Sequence, residues 1–177
     1  DGNYLLAGRY TSMGTLSAFI MKTDTAGNML WIKSYGDTLQ HMNILDIQEM
    51  PNGDLVAAGS TTLLKPSFQS FSDNFMMRLT SNGDKKKKKI FYGSPDQFEN
   101  VSALVIDAQQ HIIAGVATAS YPTASIVPNK NAVFKFDEQG TILKAITYNS
   151  GSSHYTRVSA APDAGFVLSV FSNAYTG

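Results

Sequence analysis

The sequence predicts an all-β fold, and three observations carry that expectation. The chain says nearly the same thing three times: FIMKTDTAGNMLWIKSY begins at Phe19, FMMRLTSNGDKKKKKIF at Phe75 and AVFKFDEQGTILKAITY at Ala132, so the anchor glycines Gly27, Gly83 and Gly140 stand 56 and 57 residues apart. Repeats of this length indicate stacked arrays or propellers. A complete unit holds four short runs rich in β-branched and aromatic residues, bounded by Gly, Pro, Asn and Asp. Finally, no 3.6-residue periodicity lasts 11 residues, so helices longer than one turn are not expected.

We label the four strands of a unit A to D. The first unit supplies three. Strand B is NYLLAGRYT from Asn3, C starts at Phe19, and D follows Gly27. The second unit is complete. Strand A spans residues 43–50, PNGD turns the chain, B spans 54–61, C spans 74–80, SNGD turns it again, and D ends at KIFYG. In the third unit HIIAGVATA from His111 is strand B and AVFKF from Ala132 is C. A fourth unit contributes A and B, the latter as GFVLSVFSN from Gly165. Thirteen strands result, in the order B-C-D, A-B-C-D, A-B-C-D, A-B. The C–D turns, residues 24–27, 80–83 and 137–140, open on a polar residue that bonds its own backbone. They close on a Gly, where a type I turn with a G1 bulge needs positive φ.

Four antiparallel strands per unit of about 55 residues is the pattern of a β-propeller blade. The expected division is 1–36 partial blade, 37–93 and 94–148 full blades, and 149–177 partial blade, all within one incomplete ring. A ring needs about four to eight blades, so this chain does not close one alone. An open β-solenoid and a β-sandwich are the competing architectures, and a sandwich leaves the in-phase repeat without a cause. The small Ala-Gly positions of strand B suit close sheet-on-sheet packing. Met21, Met77 and Phe134 share one position of strand C and should meet similar surroundings.

Formal net charge is zero, yet five of the 14 basic residues form the run Lys85 to Lys89. The remainder carries 9 basic against 14 acidic residues. That balance argues against a nucleic-acid partner, which would leave a basic stripe over one face. There is no cysteine, hence no disulfide and no thiolate metal site. No apolar run approaches the roughly 20 residues of a membrane helix. The chain opens on DGNY, without Met or leader, and we expect an interior piece of a longer, exported chain.

Over FIMKTDTAGNMLWIKSYGDTLQHMNILDIQEMPNGDLVAAGSTT the chain resembles the secreted propeller repeats of Bacteroidota surface proteins, whose units read IKTDxxGNxLWxKxYG and DGxYLLAGxT. The matching residues include Lys22-Thr23-Asp24, Gly27-Asn28, Leu30-Trp31, Lys33, Tyr35-Gly36 and Leu6-Ala7-Gly8. The resemblance extends over essentially the whole chain. It implies export to the cell surface, often by type IX secretion, an outer-membrane or surface complex, and usually no catalytic activity. Where the family has Leu-Trp, the second unit has lysines and the third has Leu143-Lys144, which leaves Trp31 as the docking tryptophan.

The lysine run is the oddest feature. Alternation along a strand would aim two or three ammonium groups into the packing between sheets, and burying an unpaired one is costly. An outer edge strand blunted with lysine and a basic docking patch are two readings. Repeat logic would place Val-Leu-Trp at Lys85, Lys86 and Lys87.

No catalytic, metal or cofactor motif stands out. Asp24-Thr25-Ala26-Gly27 resembles a sialidase Asp-box, but carries two residues between Asp and Gly where the box has one, so it reads as a turn. It lacks the alternating ligands of a calcium loop. His41, His111 and His154 occupy unrelated repeat positions without ligand spacing and read as solvated or hydrogen-bonded. Asp37, Asp46, Asp96 and Glu99 are carboxylates for one face, though loop acids are usually just solvated. Asn100-Val101-Ser102 fits an N-glycan sequon. Thr25 and Thr38, in Asp-Thr-apolar triplets, resemble the O-glycosylation signal of Bacteroidota.

An antiparallel meander places its A–B and C–D turns at one end and its B–C and D–A connections at the other. The first set is short and stereotyped. The second is long and irregular, and such loops on a rigid scaffold carry binding. We therefore expect the candidate binding face at Phe68, Phe71, Asp96, Gln97, Phe98 and Tyr121, with a protein or glycan partner. The bland alternative is that these aromatics tuck under their own loops. The expected function is a non-catalytic, cell-surface or outer-membrane-associated binding scaffold. The alternative is the propeller domain of a secreted polysaccharide-active hydrolase or lyase, which would converge two carboxylates or a metal triad in one pocket.

Overall fold

In the computed structural model the described residues are 2–12, 14–36, 39–63, 72–92, 99–118, 130–148, 153–161 and 165–172. They form thirteen strands in four antiparallel sheets, with no helix among them. Sheet 1 is β1 (Tyr4–Ser12), β2 (Thr15–Thr23) and β3 (Met29–Tyr35). Sheet 2 is β4 (Gln40–Glu49), β5 (Leu55–Leu63), β6 (Ser72–Leu79) and β7 (Lys85–Tyr92). Sheet 3 is β8 (Glu99–Ile106), β9 (Ile112–Thr118), β10 (Lys130–Phe136) and β11 (Ile142–Tyr148). Sheet 4 is β12 (Ser153–Ala160) and β13 (Phe166–Ser172). Spatial order within each sheet follows chain order. The strand count and the 3-4-4-2 grouping agree with the sequence reading.

The turns form as their chemistry dictates. In the C–D turns Gly27, Gly83 and Gly140 donate their N–H to the carbonyls of Asp24, Thr80 and Asp137, at 3.1, 2.9 and 3.0 Å. Their φ values are 87°, 77° and 79°, a region that costs other L-residues about 1–2 kcal/mol. The opening side chain holds the loop: Asp24 Oδ1 accepts from the N–H of Ala26 and Asn28, and Asp137 Oδ1 from those of Gln139 and Thr141. A register shift beside each turn marks the expected bulge. The A–B turn at 107–111 has the same form, with Gln110 at φ 64° where the others have Gly.

The sheets stack face to face in chain order. Alternation along each strand divides its side chains between the sheet before and the sheet after. Leu55, Ala57, Phe75 and Met77 of sheet 2 pack with Ala18 and Ile20 of sheet 1. Val56, Ala58 and Met76 of sheet 2 pack with Leu104, Ile112, Phe134 and Phe136 of sheet 3. Ala103, Ile113 and Val133 of sheet 3 pack with Val158 of sheet 4. Strands β4, β8 and β12, the A strands, lie against the sheet before them.

Met77 and Phe134 are both fully buried and both face the preceding sheet, as their shared repeat position requires. Met21, in sheet 1, is half-buried. The glycines of strand B need a correction. A Cβ at Gly59 would stand 1.9 Å from the carbonyl oxygen of Asn43 in its own sheet, where β4 bulges between Ile44 and Asp46. Only Gly115 of this set abuts the next sheet, at the Thr156 methyl. The lysine run bears out the edge-strand reading and not the inward-facing alternation. Strand β7 is the outer edge of sheet 2, and Lys85, Lys86 and Lys87 are exposed rather than buried between sheets.

Candidate functional site: a cavity between the second and third sheets

A cavity of about 470 Å³ opens at the short-turn end, between sheets 2 and 3. Its floor is apolar: Val56, Met76 and Ile112. One wall carries Asp54, Arg78, Lys86 and Lys87, and the other is the C–D turn of sheet 3, Glu138 to Gly140.

The repeat explains why the cavity is there. In register, Lys87 pairs with Arg78 as Trp31 pairs with Lys22, so Lys87 occupies the position of Trp31. At the junction of sheets 1 and 2, Trp31 packs with the core of Ile20 and Leu55, beside Leu5. Those residues match Met76, Ile112 and Val56 of the cavity floor. The indole ring also lies on the next C–D turn, so a Cβ at Gly83 would come within 2.9 Å of it. The Tyr35 hydroxyl donates to the Gly83 carbonyl at 2.8 Å. Burial, then the nearby Asp84 carboxylate, pushes the Tyr35 phenol up to about 12. At the next junction a lysine replaces the indole, and its flexible stem leaves the slot open.

The polar wall is organised around Asp54, which is buried. Asn52 Oδ1 accepts the Asp54 N–H and fixes the end of the A–B turn. Lys86 Nζ sits 2.7 and 2.9 Å from the two carboxylate oxygens, and Arg78 Nε donates to Oδ2 at 3.1 Å. The Lys86 hydrogen bond, then that of Arg78, outweighs desolvation and holds the Asp54 carboxyl below its ordinary value of 3.8. Arg78 also donates to the Glu138 carbonyl across the cavity. Lys87 Nζ makes a long contact of 3.4 Å to the Gln139 carbonyl. Three cations thus face two carboxylates, Asp54 and Glu138, and Lys87 is the cation not spent on a carboxylate in this group.

A cation on strand C near an acid of the A–B region recurs in every sheet with a strand C. Lys135 Nζ reaches Asp107 Oδ2 at 2.8 Å, beside His111 Nδ1 at 3.0 Å from the same atom. Burial raises the Asp107 carboxyl, but the bonds from Lys135 and His111 win and it lies below its ordinary value. Lys22 of sheet 1 lies 3.8 Å from Glu49 of sheet 2. The sequence signal was available: Lys22, Arg78 and Lys135 share one repeat position. Their acids do not, since Asp107 opens its turn and Asp54 ends one, so no acidic motif shows.

Phe68, Phe71, Asp96, Gln97, Phe98, Tyr121, Thr38 and Asp37 lie outside the described residues. Thr25 is exposed in the 24–28 turn. Asp24 is committed to that turn. The Asn28 side-chain amide, with the backbone N–H groups, lowers its pKa. Asp46 is in β4, not a loop, and its carboxylate accepts from the backbone N–H of Ile47 and, in sheet 3, of Leu104. His41 lies within β4, and its Nδ1 accepts from the Leu16 N–H of sheet 1. His154 falls in β12, and Glu99 opens β8. Asn100 is half-buried in β8, and the Ser102 hydroxyl of the sequon is tied to Thr156 of sheet 4. Among the described residues no group of three His, Cys, Asp or Glu stands close enough to hold a metal. No helix of the described residues is long and apolar enough to cross a membrane.

No family model and no curated protein matches the chain.

Proposed function

We propose that the chain is part of a β-propeller that serves as a non-catalytic binding scaffold at the bacterial cell surface. The observation that carries the reading is the mismatch between end sheets and middle sheets. Tyr4 of sheet 1 is 58% exposed, while Leu55, at the same repeat position in sheet 2, is fully buried under its neighbour. Val167 of sheet 4 is 61% exposed, while its counterpart Val56 is fully buried. The face of β1 bearing Tyr4, Leu6 and Tyr10 and the face of β13 bearing Val167 have the composition of junction surfaces, and further blades would cover both. Cell-surface placement follows from the resemblance of the repeat. A protein or glycan partner is assigned to the long-connection end, at Phe68, Phe71, Asp96, Gln97, Phe98 and Tyr121, because irregularity is confined to that end.

The test uses the protein as its gene encodes it. The labelling sites are Leu6→Cys and Val167→Cys, placed in a background with any other cysteine replaced; the 177 residues contribute none. A ring protects both from maleimide, and rapid labelling of both overturns the propeller. Surface glycans and outer-membrane extracts are then screened for binding. A Phe71→Ala, Phe98→Ala double variant should lose capture, while variants at Asn52 and Asn82, in the short turns, should keep it. Equal loss from both sets overturns the face assignment.

A further inference from the structure

The cavity between sheets 2 and 3 lies at the end of the sheets opposite the proposed partner face, and nothing in the scaffold reading uses it. We infer that it is a binding site for a small aromatic carboxylate. The inference rests on the stacking of described sheets and not on ring closure.

Shape comes first. The preceding junction shows what this architecture accommodates at that place: a flat indole, edged by Ile20 and Leu55 and laid on a C–D turn. The cavity keeps the matching floor, Met76, Ile112 and Val56, and the matching turn, 138–140, as the opposite side. Lys87 stands where the ring would be. Its volume of about 470 Å³ lies within the usual range of small-molecule sites, and its mix of apolar floor and a few polar groups is their usual chemistry.

Charge comes second. Asp54 holds Lys86 and Arg78, and Arg78 leans on Glu138. Lys87 stands at the mouth with its ammonium 3.4 Å from the Gln139 carbonyl, a long hydrogen bond. A ligand whose ring enters the slot brings its carboxylate to this ammonium, as a charge-assisted bond at the rim. A neutral arene leaves the Lys87 cation without its counter-ion. A dianion would compete with Asp54 and Glu138. One ring with one negative charge matches both features.

The experiment is a calorimetric or NMR titration of the whole protein with indole-3-acetate, with indole and acetate as separate arms. Saturable binding of indole-3-acetate is expected, tighter than indole, with none for acetate. Lys87→Trp should supply the missing ring from the protein itself and abolish binding. Lys87→Gln keeps the slot and removes the charge. It should weaken indole-3-acetate roughly three- to fivefold, the scale of one exposed ion pair, and leave indole unchanged. Absence of saturable binding overturns the site. Equal affinity for acetate reduces it to an anion patch and also overturns it. Unchanged affinity in Lys87→Gln refutes the pairing with the carboxylate, independently of whether Lys87→Trp folds.

Discussion

The junction of sheets 1 and 2 and the junction of sheets 2 and 3 are built on one plan and completed differently. In the first, an indole closes the space between floor and turn, a tyrosine hydroxyl bonds the turn carbonyl, and Lys33 pairs with Asp84 outside. In the second, the floor and turn persist but the closing residue is Lys87, and a cavity stands between them. The backbone tolerates the exchange because each sheet is held by its own ladder and by apolar layers nearer its inner strands. Filling the outer slot is therefore a matter of stability and recognition, and not of fold.

The largest expected effect lies at the filled junction. Gly83→Ala meets both a left-handed backbone and the Trp31 ring, and should cost about 3 kcal/mol in urea unfolding. Gly27→Ala, with the same φ region and nothing near its Cβ, should cost only about 1 kcal/mol. Equal costs would mean that the indole does not bear on the turn.

The next test compares two asparagines at one repeat position. Asn131 is buried and its Oδ1 accepts the Thr156 hydroxyl of the next sheet. Asn74 is equally buried, and among the described residues neither polar atom of its amide has a hydrogen-bond partner. Asn131→Leu should lose about 2 kcal/mol by orphaning Thr156. Asn74→Leu should gain about 1 kcal/mol by removing an unpaid desolvation. Thermal denaturation of the two variants gives opposite signs if the junctions differ as described.

At the open junction, Lys87→Trp should raise stability by about 1–2 kcal/mol, since it adds apolar burial without disturbing Asp54. The smallest effect is that of pH. The Asp54 carboxyl lies below its ordinary value in the fold, so its contribution is present above the usual carboxylate range. It is lost as pH falls through the folded pKa, below 3.8. Asp54→Asn should flatten the acid limb of the stability profile in that window and lower stability at neutral pH. An unchanged profile would remove Asp54 from the energetics of the junction.

Much of the fold was legible because its signals are local. A turn such as 137–141 declares itself through an Asp that bonds its own backbone and a Gly three residues on. Gln110 escaped because a φ of 64° at a non-glycine leaves no compositional mark. The exchange of Trp31 for Lys87 was visible in the repeat, but its outcome was not. Alternation alone points lysines inward, whereas Lys85, Lys86 and Lys87 are exposed on the edge strand β7. The Asp54 cluster was illegible for a related reason. Its members come from a turn, strand C and strand D, and only the sheet brings them within 3 Å. The aromatic loop residues singled out from the sequence lie outside the described residues.

Stacking in chain order has a mechanical consequence. Among the described residues the strong contacts of each sheet are with its neighbours, and each covalent link runs from the outer edge of one sheet to the A strand of the next. Tension applied at Tyr4 of β1 and Ser172 of β13 would load sheets 1 and 4 before it reached the middle pair. The molecule should lengthen in steps rather than in one rupture, and each four-stranded sheet should release roughly 190 Å of contour when it gives way.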